Sequence, residues 1–264
     1  MSYALIVFGG SIYDVALATD FVKLYKKFTA DGLNPTCLSG TNLADITYMS
    51  GPLKFGRDDI RTPIRVYDNT EAQTPFYQLS GAGSTKQLAL TWIRNVASRL
   101  KAGDRIILVF VAHGEQGSTH LILNNGTHGR ELLTETEIIA ALSSLPAGVR
   151  VLLINEACFS GGWTTAAPDL GPTRDVMVET ASTVNEPAPN YRSASGRFRC
   201  SLFAAAYIEE LTTYAEGRIS QHRTRIKEKM RLVRSGQDTS TPLVICSLRS
   251  LLSRNISHFV LTRL

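Results

Sequence analysis

No run of about 18 apolar residues occurs anywhere in the chain, which argues against a membrane-spanning helix. The opening residues, Met1-Ser2-Tyr3-Ala4-Leu5-Ile6-Val7-Phe8, lack the basic stretch that begins a secretory signal. They read as a strand, and a cytoplasmic location is expected. Cysteine is scarce: Cys37, Cys158, Cys200 and Cys246 are too few and too scattered for a disulfide scaffold. No Cys-x-x-Cys pair occurs, so neither a metal site nor another cofactor is expected. Aromatic residues are not interleaved with basic ones. The net charge is +5, and part of it lies between Arg218 and Arg234. With Ile219, Ile226, Met230 and Val233, that stretch reads as an amphipathic helix with a solvated basic face. Nucleic acid is therefore not an expected partner, and neither is a membrane.

What the chain does have is two short apolar runs that each end in a reactive residue. Ile106 to Ala112 stops at His113-Gly114, and Val151 to Ala157 stops at Cys158-Phe159-Ser160-Gly161-Gly162. Runs this short, rich in β-branched residues and apolar on both faces, read as buried parallel strands. Parallel sheets carry their functional groups at the carboxyl ends of strands. A histidine and a cysteine placed there would share one rim, the layout of a thiol nucleophile and its proton-transfer partner.

The rest of the chain alternates between strands and helices. Residues 3–8 read as a first strand, and Asp14 to Phe28 as a helix with Leu17, Phe21, Leu24 and Phe28 on one face. A short strand is expected near Pro35 to Leu38, and residues 39–82 as an elaborate connection containing Ile64-Arg65-Val66-Tyr67. Ser84 is positioned to cap a helix carrying Leu88, Trp92, Val96 and Leu100. A hairpin around Asn124-Asn125-Gly126 follows His113. Thr134 and Glu137 form a capping box for the next helix. Residues 164–196, rich in Pro, Ser, Thr and Asn, are expected to form a flexible linker, with one strand candidate at Val176 to Ala181. Ser201 opens another helix, and Leu243 to Cys246 reads as a last strand. The pattern predicts one α/β domain over residues 1–264, with a mainly parallel sheet flanked by helices.

A thiolate attacks a carbonyl far better than a thiol does, and it needs a nearby base. Gly161 and Gly162 are expected to let the backbone turn sharply beneath Cys158 and free N–H groups for an oxyanion. Gly114 would do the same from the other strand. Such donors are each worth about 3 kcal/mol in the transition state. The hairpin and helix between His113 and Cys158 suffice for one right-handed crossover between neighbouring strands. Cys37, Cys200 and Cys246 have no glycine turn beside them, and His120, His128, His222 and His258 do not follow an apolar strand.

His113-Gly114 together with Glu156-Ala157-Cys158-Phe159-Ser160-Gly161 resembles the caspase-like, or clan CD, cysteine peptidases. The Glu-Ala-Cys-x-Ser-Gly form is most similar to the legumain branch, with metacaspases next. Weaker echoes are Asp45-Ile46-Thr47-Tyr48 and the layout of the first helix around Asp20. The resemblance spans roughly residues 3–250. It implies a three-layer caspase-like sandwich with a six-stranded sheet, a His113/Cys158 catalytic dyad, and a protein or peptide substrate.

The expected activity is that of a cysteine endopeptidase. The backbone N–H groups of Gly114 and Cys158 would form the oxyanion hole. Strand alternation puts Glu156 on the nucleophile's side, where it would line the specificity pocket. Asp14 and Ser160 are expected among the substrate-binding residues. Legumains carry an arginine early in the first helix where this chain has Ala16, so cleavage after Arg or Lys is expected ahead of cleavage after Asn. The alternatives are a transpeptidase or ligase using the same dyad, and a catalytically silent interaction module.

Overall fold

The apolar runs become the middle of a sheet because each can be buried on both faces at once. The computed structural model describes residues 1–55, 64–68, 76–81, 83–124, 129–171, 173–192, 199–213, 217–233, 240–247 and 249–260. From the N-terminus, β1 (Ser2–Phe8) leads to α1 (Val15–Ala30), β2 (Thr36–Ser39) and α2 (Leu43–Ser50). An antiparallel pair, β3 (Leu53–Phe55) and β4 (Ile64–Tyr67), and the short β5 (Gln78–Leu79) come next. They precede α3 (Thr85–Ala97) and β6 (Arg105–Val111). Then β7 (His113–Gly114), β8 (Leu121–Asn124) and β9 (Arg130–Leu133) form a small antiparallel sheet. After α4 (Glu135–Ala141) and β10 (Arg150–Glu156) come a 3-10 helix, Ser160–Thr165, and α5 (Ala166–Asp169). The chain continues through β11 (Asp175–Thr180), the hairpin β12 (Asn190–Arg192) and β13 (Arg199–Ser201), α6 (Leu202–Thr213), α7 (Ile219–Val233) and β14 (Leu243–Cys246).

The central sheet has seven strands in the order β14-β11-β10-β6-β1-β2-β5. All its pairings are parallel except that of β14 with β11. The seventh strand, one more than expected, is β5, whose two residues pair with Leu38 and Ser39. Two residues are too few to leave a pattern in sequence. Alternation along the strands builds two cores. Ile107, Val109, Val111, Leu152 and Ile154 pack with residues of α1, α6 and α7 such as Phe21, Tyr207 and Ile226. Ile106, Leu108, Phe110, Val151 and Leu153 pack with residues of α3 and α4 such as Ile93 and Ile138. The result is a three-layer α/β arrangement. Each such aliphatic side chain contributes roughly 1.5–3 kcal/mol when fully buried.

Both helix caps read from sequence are present. Ser84 Oγ accepts from the Gln87 N–H at 3.0 Å, and Thr134 with Glu137 closes a reciprocal box. The α3 stripe is rotated relative to the expected one. Ala89, Ile93 and Val96 lie deepest, while Leu88 and Trp92 are half-buried, with Trp92 donating to Thr36. The turn of the expected hairpin, residues 125–128, lies outside the described residues.

The expected linker over residues 164–196 is largely ordered structure. It contains α5 and β11, and β11 lies inside the sheet between β10 and β14 with Val176, Met177 and Val178 fully buried. The turn formers in that stretch mark the ends of elements, as at Gly171 with φ +86°, and the strand between them is continuous. Residue 172 and residues 193–198 lie outside the described residues.

The basic stretch forms α7, with Ile219, Ile226 and Met230 buried as expected. Its polar side is not simply solvated. His222 is fully buried, with Nε2 3.0 Å from Glu179 of β11 and Nδ1 3.4 Å from Glu210 of α6. Arg225 also donates to Glu210, and Lys229 pairs with Glu209 at 2.9 Å. Residues 219, 222, 226 and 230 follow helical spacing, so His222 falls on the apolar stripe. Burial disfavours the charged ring, but the carboxylates of Glu179 and Glu210 outweigh it and hold the His222 pKa at about 9.

Candidate active site

Parallel pairing of β6 with β10 sets Val111 opposite Glu156, so both strands run out at one level of the rim. His113-Gly114 and Cys158 follow directly. Their backbones touch: a Cβ on Gly114 would lie 1.7 Å from the Cys158 carbonyl oxygen. Glycine is required there by close approach, and any side chain would push the two strand ends apart.

Asp14 lies just before α1 and reaches across to His113. Its Oδ1 is 2.8 Å from His113 Nε2. Its Oδ2 accepts from both the backbone N–H and the hydroxyl of Ser11, each at 2.7 Å. Burial opposes ionisation of Asp14, but the bonds from His113 and Ser11 bring its pKa down to about 2. In return the Asp14 hydrogen bond raises the pKa of His113 against the effect of burial. An ionised Asp14 can only accept, so Nε2 carries the proton and Nδ1 is the ring nitrogen left for a second partner. Asp14, expected among the substrate-binding residues, lines the cavity beside the site and is also the hydrogen-bond partner of the histidine. Sequence offered no signal for this, because 99 residues separate the two.

Cys158 is half-buried and its thiol is free of any disulfide. Its Sγ accepts from the Ala188 N–H at 3.3 Å. The left-handed turn after it is made by Phe159, at φ 56°, and not by the glycines. A non-glycine residue in that region carries strain and marks a position fixed by its surroundings. The Phe159 N–H donates to the Glu186 carbonyl at 2.9 Å. Gly161 and Gly162 serve close packing instead of a turn. A Cβ on Gly161 would meet the Val184 backbone nitrogen at 2.6 Å, and one on Gly162 would meet Thr119 Oγ1 at 2.5 Å. Among the described residues no carbonyl accepts the Cys158 N–H.

Glu156 and Ser160 are both buried. Ser160 faces Ser182, Oγ to Oγ at 3.3 Å. Glu156 points to the α1 side, where Ser201 donates its hydroxyl to Oε1 and its N–H to Asp20 Oδ2 at 2.7 Å. Burial raises the Glu156 pKa to about 7, and burial together with the Glu156 charge raises that of Asp20 well above the ordinary value. The two carboxyls interact, and both hold their protons to higher pH than ordinary carboxyls do. Sequence missed Asp20 and Ser201 as partners of Glu156, because β13 folds back onto α1 from far along the chain.

These groups set the pH dependence of stability. A carboxyl raised from 4.5 to about 7 in the fold, as Glu156 is, costs stability as pH rises through that interval. The contribution of His222, whose ordinary value is 6.5, is complete below 6.5 and is lost as pH rises through about 9. Both effects have the same sign. The melting temperature should therefore fall continuously from about pH 5 to about pH 9. In Glu156→Gln the lower half of that slope should flatten. A constant melting temperature over the interval would refute both assignments.

Beside His113 opens a cavity of about 550 Å³, lined among others by Ser11, Tyr13, Asp14, Asn124 and Arg130. Cys158 is not part of its wall. Among the described residues no group of three His, Cys, Asp or Glu side chains is placed to hold a metal ion. No helix among them is long and apolar enough to cross a membrane.

No protein-family model matches the chain, and no curated protein matches it. Among solved structures, the crystal structure of a protein from Geobacter sulfurreducens is similar over 98% of this chain and 99% of that one. The TM-score is 0.56 and the sequence identity 13%. At that identity the likeness shows the arrangement of elements and nothing about chemistry.

Proposed function

We propose that this chain is a caspase-like cysteine endopeptidase in which Cys158 is the nucleophile, His113 the general acid and base, and Asp14 the residue that positions His113. The observation that carries the reading is the Asp14–His113 contact of 2.8 Å at the end of the strand next to the one ending in Cys158. The Cys158 thiol gives its proton to His113. The sulfur attacks the substrate carbonyl carbon, and the carbonyl oxygen becomes an oxyanion facing the Cys158 N–H. The C–N bond then breaks as His113 returns the proton to the leaving amine, which leaves a thioester on Cys158. Water attacks the thioester with His113 taking its proton, and the acid product leaves with Cys158 restored. No other group needs to enter the cycle.

Glu156 ends β10 two residues before Cys158, and Ser201 bridges its carboxyl to that of Asp20. Ser201 supplies them with the donors that a substrate cation would otherwise supply. The reading keeps Arg or Lys before the scissile bond, with Asn second, on the position of Glu156 two residues before Cys158 along the chain. The test is covalent labelling by acyloxymethyl ketones carrying Arg, Lys, Asn or Asp, read by intact mass. One adduct on Cys158, fastest with Arg or Lys, is expected. The absence of any adduct from all four would overturn the peptidase reading, and fastest labelling by the Asp reagent would overturn the pocket.

Asp14→Asn should lower kcat by about 10²-fold or more, because the ring loses its anionic partner. The ionised partner raises the His113 pKa. The limb of the rate profile that reports protonated His113 should thus move to lower pH in the variant. An unshifted profile at full rate would remove Asp14 from the site.

A further inference from the structure

The small sheet beside the site has one covered face and one open face. Leu121, Leu123 and Leu133 are buried in the core beneath α3 and α4. Pairing sets His113 opposite Ile122, and Asn124 opposite Arg130. Residues directly opposite each other in antiparallel strands share a face, so all four belong to the face turned from that core. That face borders the cavity, and Ser11 and Tyr13 form the other wall.

The cavity is built into the rim. The Asn124 N–H donates to the Gly9 carbonyl at 2.9 Å, and a Cβ on Gly40 would lie 1.8 Å from the Asn124 carbonyl oxygen. Both glycines thus let β8 dock against the ends of β1 and β2. At about 550 Å³ the space suits a short peptide segment. Tyr13, 71% exposed, offers an aromatic wall with a polar tip. Both carboxylate oxygens of Asp14 are already engaged, by His113 and by Ser11. Arg130 is exposed, and among the described residues no carboxylate pairs with it.

A general acid must stand beside the atom that it protonates. His113 protonates the departing nitrogen, whereas Cys158 keeps the acyl portion. His113 lines this cavity and Cys158 does not, so the cavity lies on the histidine side of the pair, where the departing segment would sit. Resting on the peptidase reading above, we propose that this cavity is the leaving-side subsite and that Arg130 selects a departing segment bearing a carboxylate. That carboxylate is either an acidic side chain near the new amino terminus or the free carboxyl terminus of a short segment. Arginine suits the task because its planar fork can hold a carboxylate through two hydrogen bonds.

The test needs no turnover. Cys158→Ala protein is titrated calorimetrically with four peptides: Gly-Glu-Gly-amide, Gly-Gln-Gly-amide, Gly-Lys-Gly-amide and Gly-Gln-Gly with a free terminus. A carboxylate-bearing peptide should bind about tenfold more tightly than the neutral amide, and the lysine peptide least tightly. Which of the two carboxylate peptides gains more identifies the source of the anion. The ranking should invert in Cys158→Ala carrying Arg130→Glu and level out with Arg130→Gln; both variants alter an exposed side chain, so folding is preserved. Equal binding of all four peptides, or an unchanged ranking in Arg130→Glu, would overturn the subsite. Reactive Cys158 in the wild-type chain with no Arg130-dependent ranking would overturn the subsite alone. Arg130-dependent binding beside an unreactive Cys158 would overturn its assignment to a departing segment.

Discussion

Cys158→Ala is expected to abolish peptide turnover and covalent labelling while leaving the melting temperature nearly unchanged. The thiol is half-buried, and among the described residues its polar contacts are with the backbone of Ala188, so its removal takes away little packing. The chemistry has no substitute for it: Cys37 and Cys200 are buried, and Cys246 lies in an edge strand of the sheet. His113→Ala should reduce turnover by about 10²–10⁴-fold, the usual contribution of a positioned acid–base group. The two variants separate roles, because the histidine variant should still be alkylated, at a lower rate. Appreciable turnover by folded Cys158→Ala protein would end the assignment of the nucleophile.

The second large effect is on stability. His222→Ala should destabilise the fold by about 3–5 kcal/mol, because removing one member of a buried ionic cluster leaves the others uncompensated. Glu179 would lose its 3.0 Å partner in a fully buried position, while Glu210 would keep Arg225. A loss of that size is a large share of the 5–15 kcal/mol that typically holds a domain together. Adding Glu179→Gln should restore part of it by removing the stranded charge. Chemical denaturation of the wild type, the single variant and the double variant measures this directly. A single variant within about 1 kcal/mol of the wild type would show that the cluster contributes little.

The strands of this sheet are readable because burial on both faces forces continuous apolar runs, and β6 and β10 fall where Ile106 and Val151 predict them. The rim positions of His113 and Cys158 follow from those runs. What sequence could not convey are contacts between residues brought together only by folding. Asp14 meets His113 because α1 begins beside the end of β6, and Ser201 meets Glu156 because β13 returns over α1. Glycine was read through its freedom to turn, but at Gly161 and Gly162 its lack of a side chain matters more, since neighbouring segments pack against the backbone. His222 was legible in principle from helical spacing, yet the surrounding arginines and lysines pointed to solvent. The strand read at Val176 to Ala181 is present as β11, but the turn formers on either side gave the whole stretch the composition of a linker, although they only set the ends of elements.

The sheet order also has a consequence for how the protein is made. β1, β6, β10 and β11 are spatial neighbours in the order of their synthesis, so each newly emerged strand can dock on the outer edge of the one before. Asp14 follows the first of these, His113 the second, Cys158 the third, and Ala188 the fourth. On a ribosome the histidine can therefore be seated and paired before the thiol exists, and the segment that contacts the sulfur comes last. Until β10 docks, β6 presents an unpaired apolar edge, the kind of surface that draws nascent chains into aggregates. Slow translation between residues 112 and 150 would prolong that exposure, whereas the same pause after residue 180 would leave the main seam already closed.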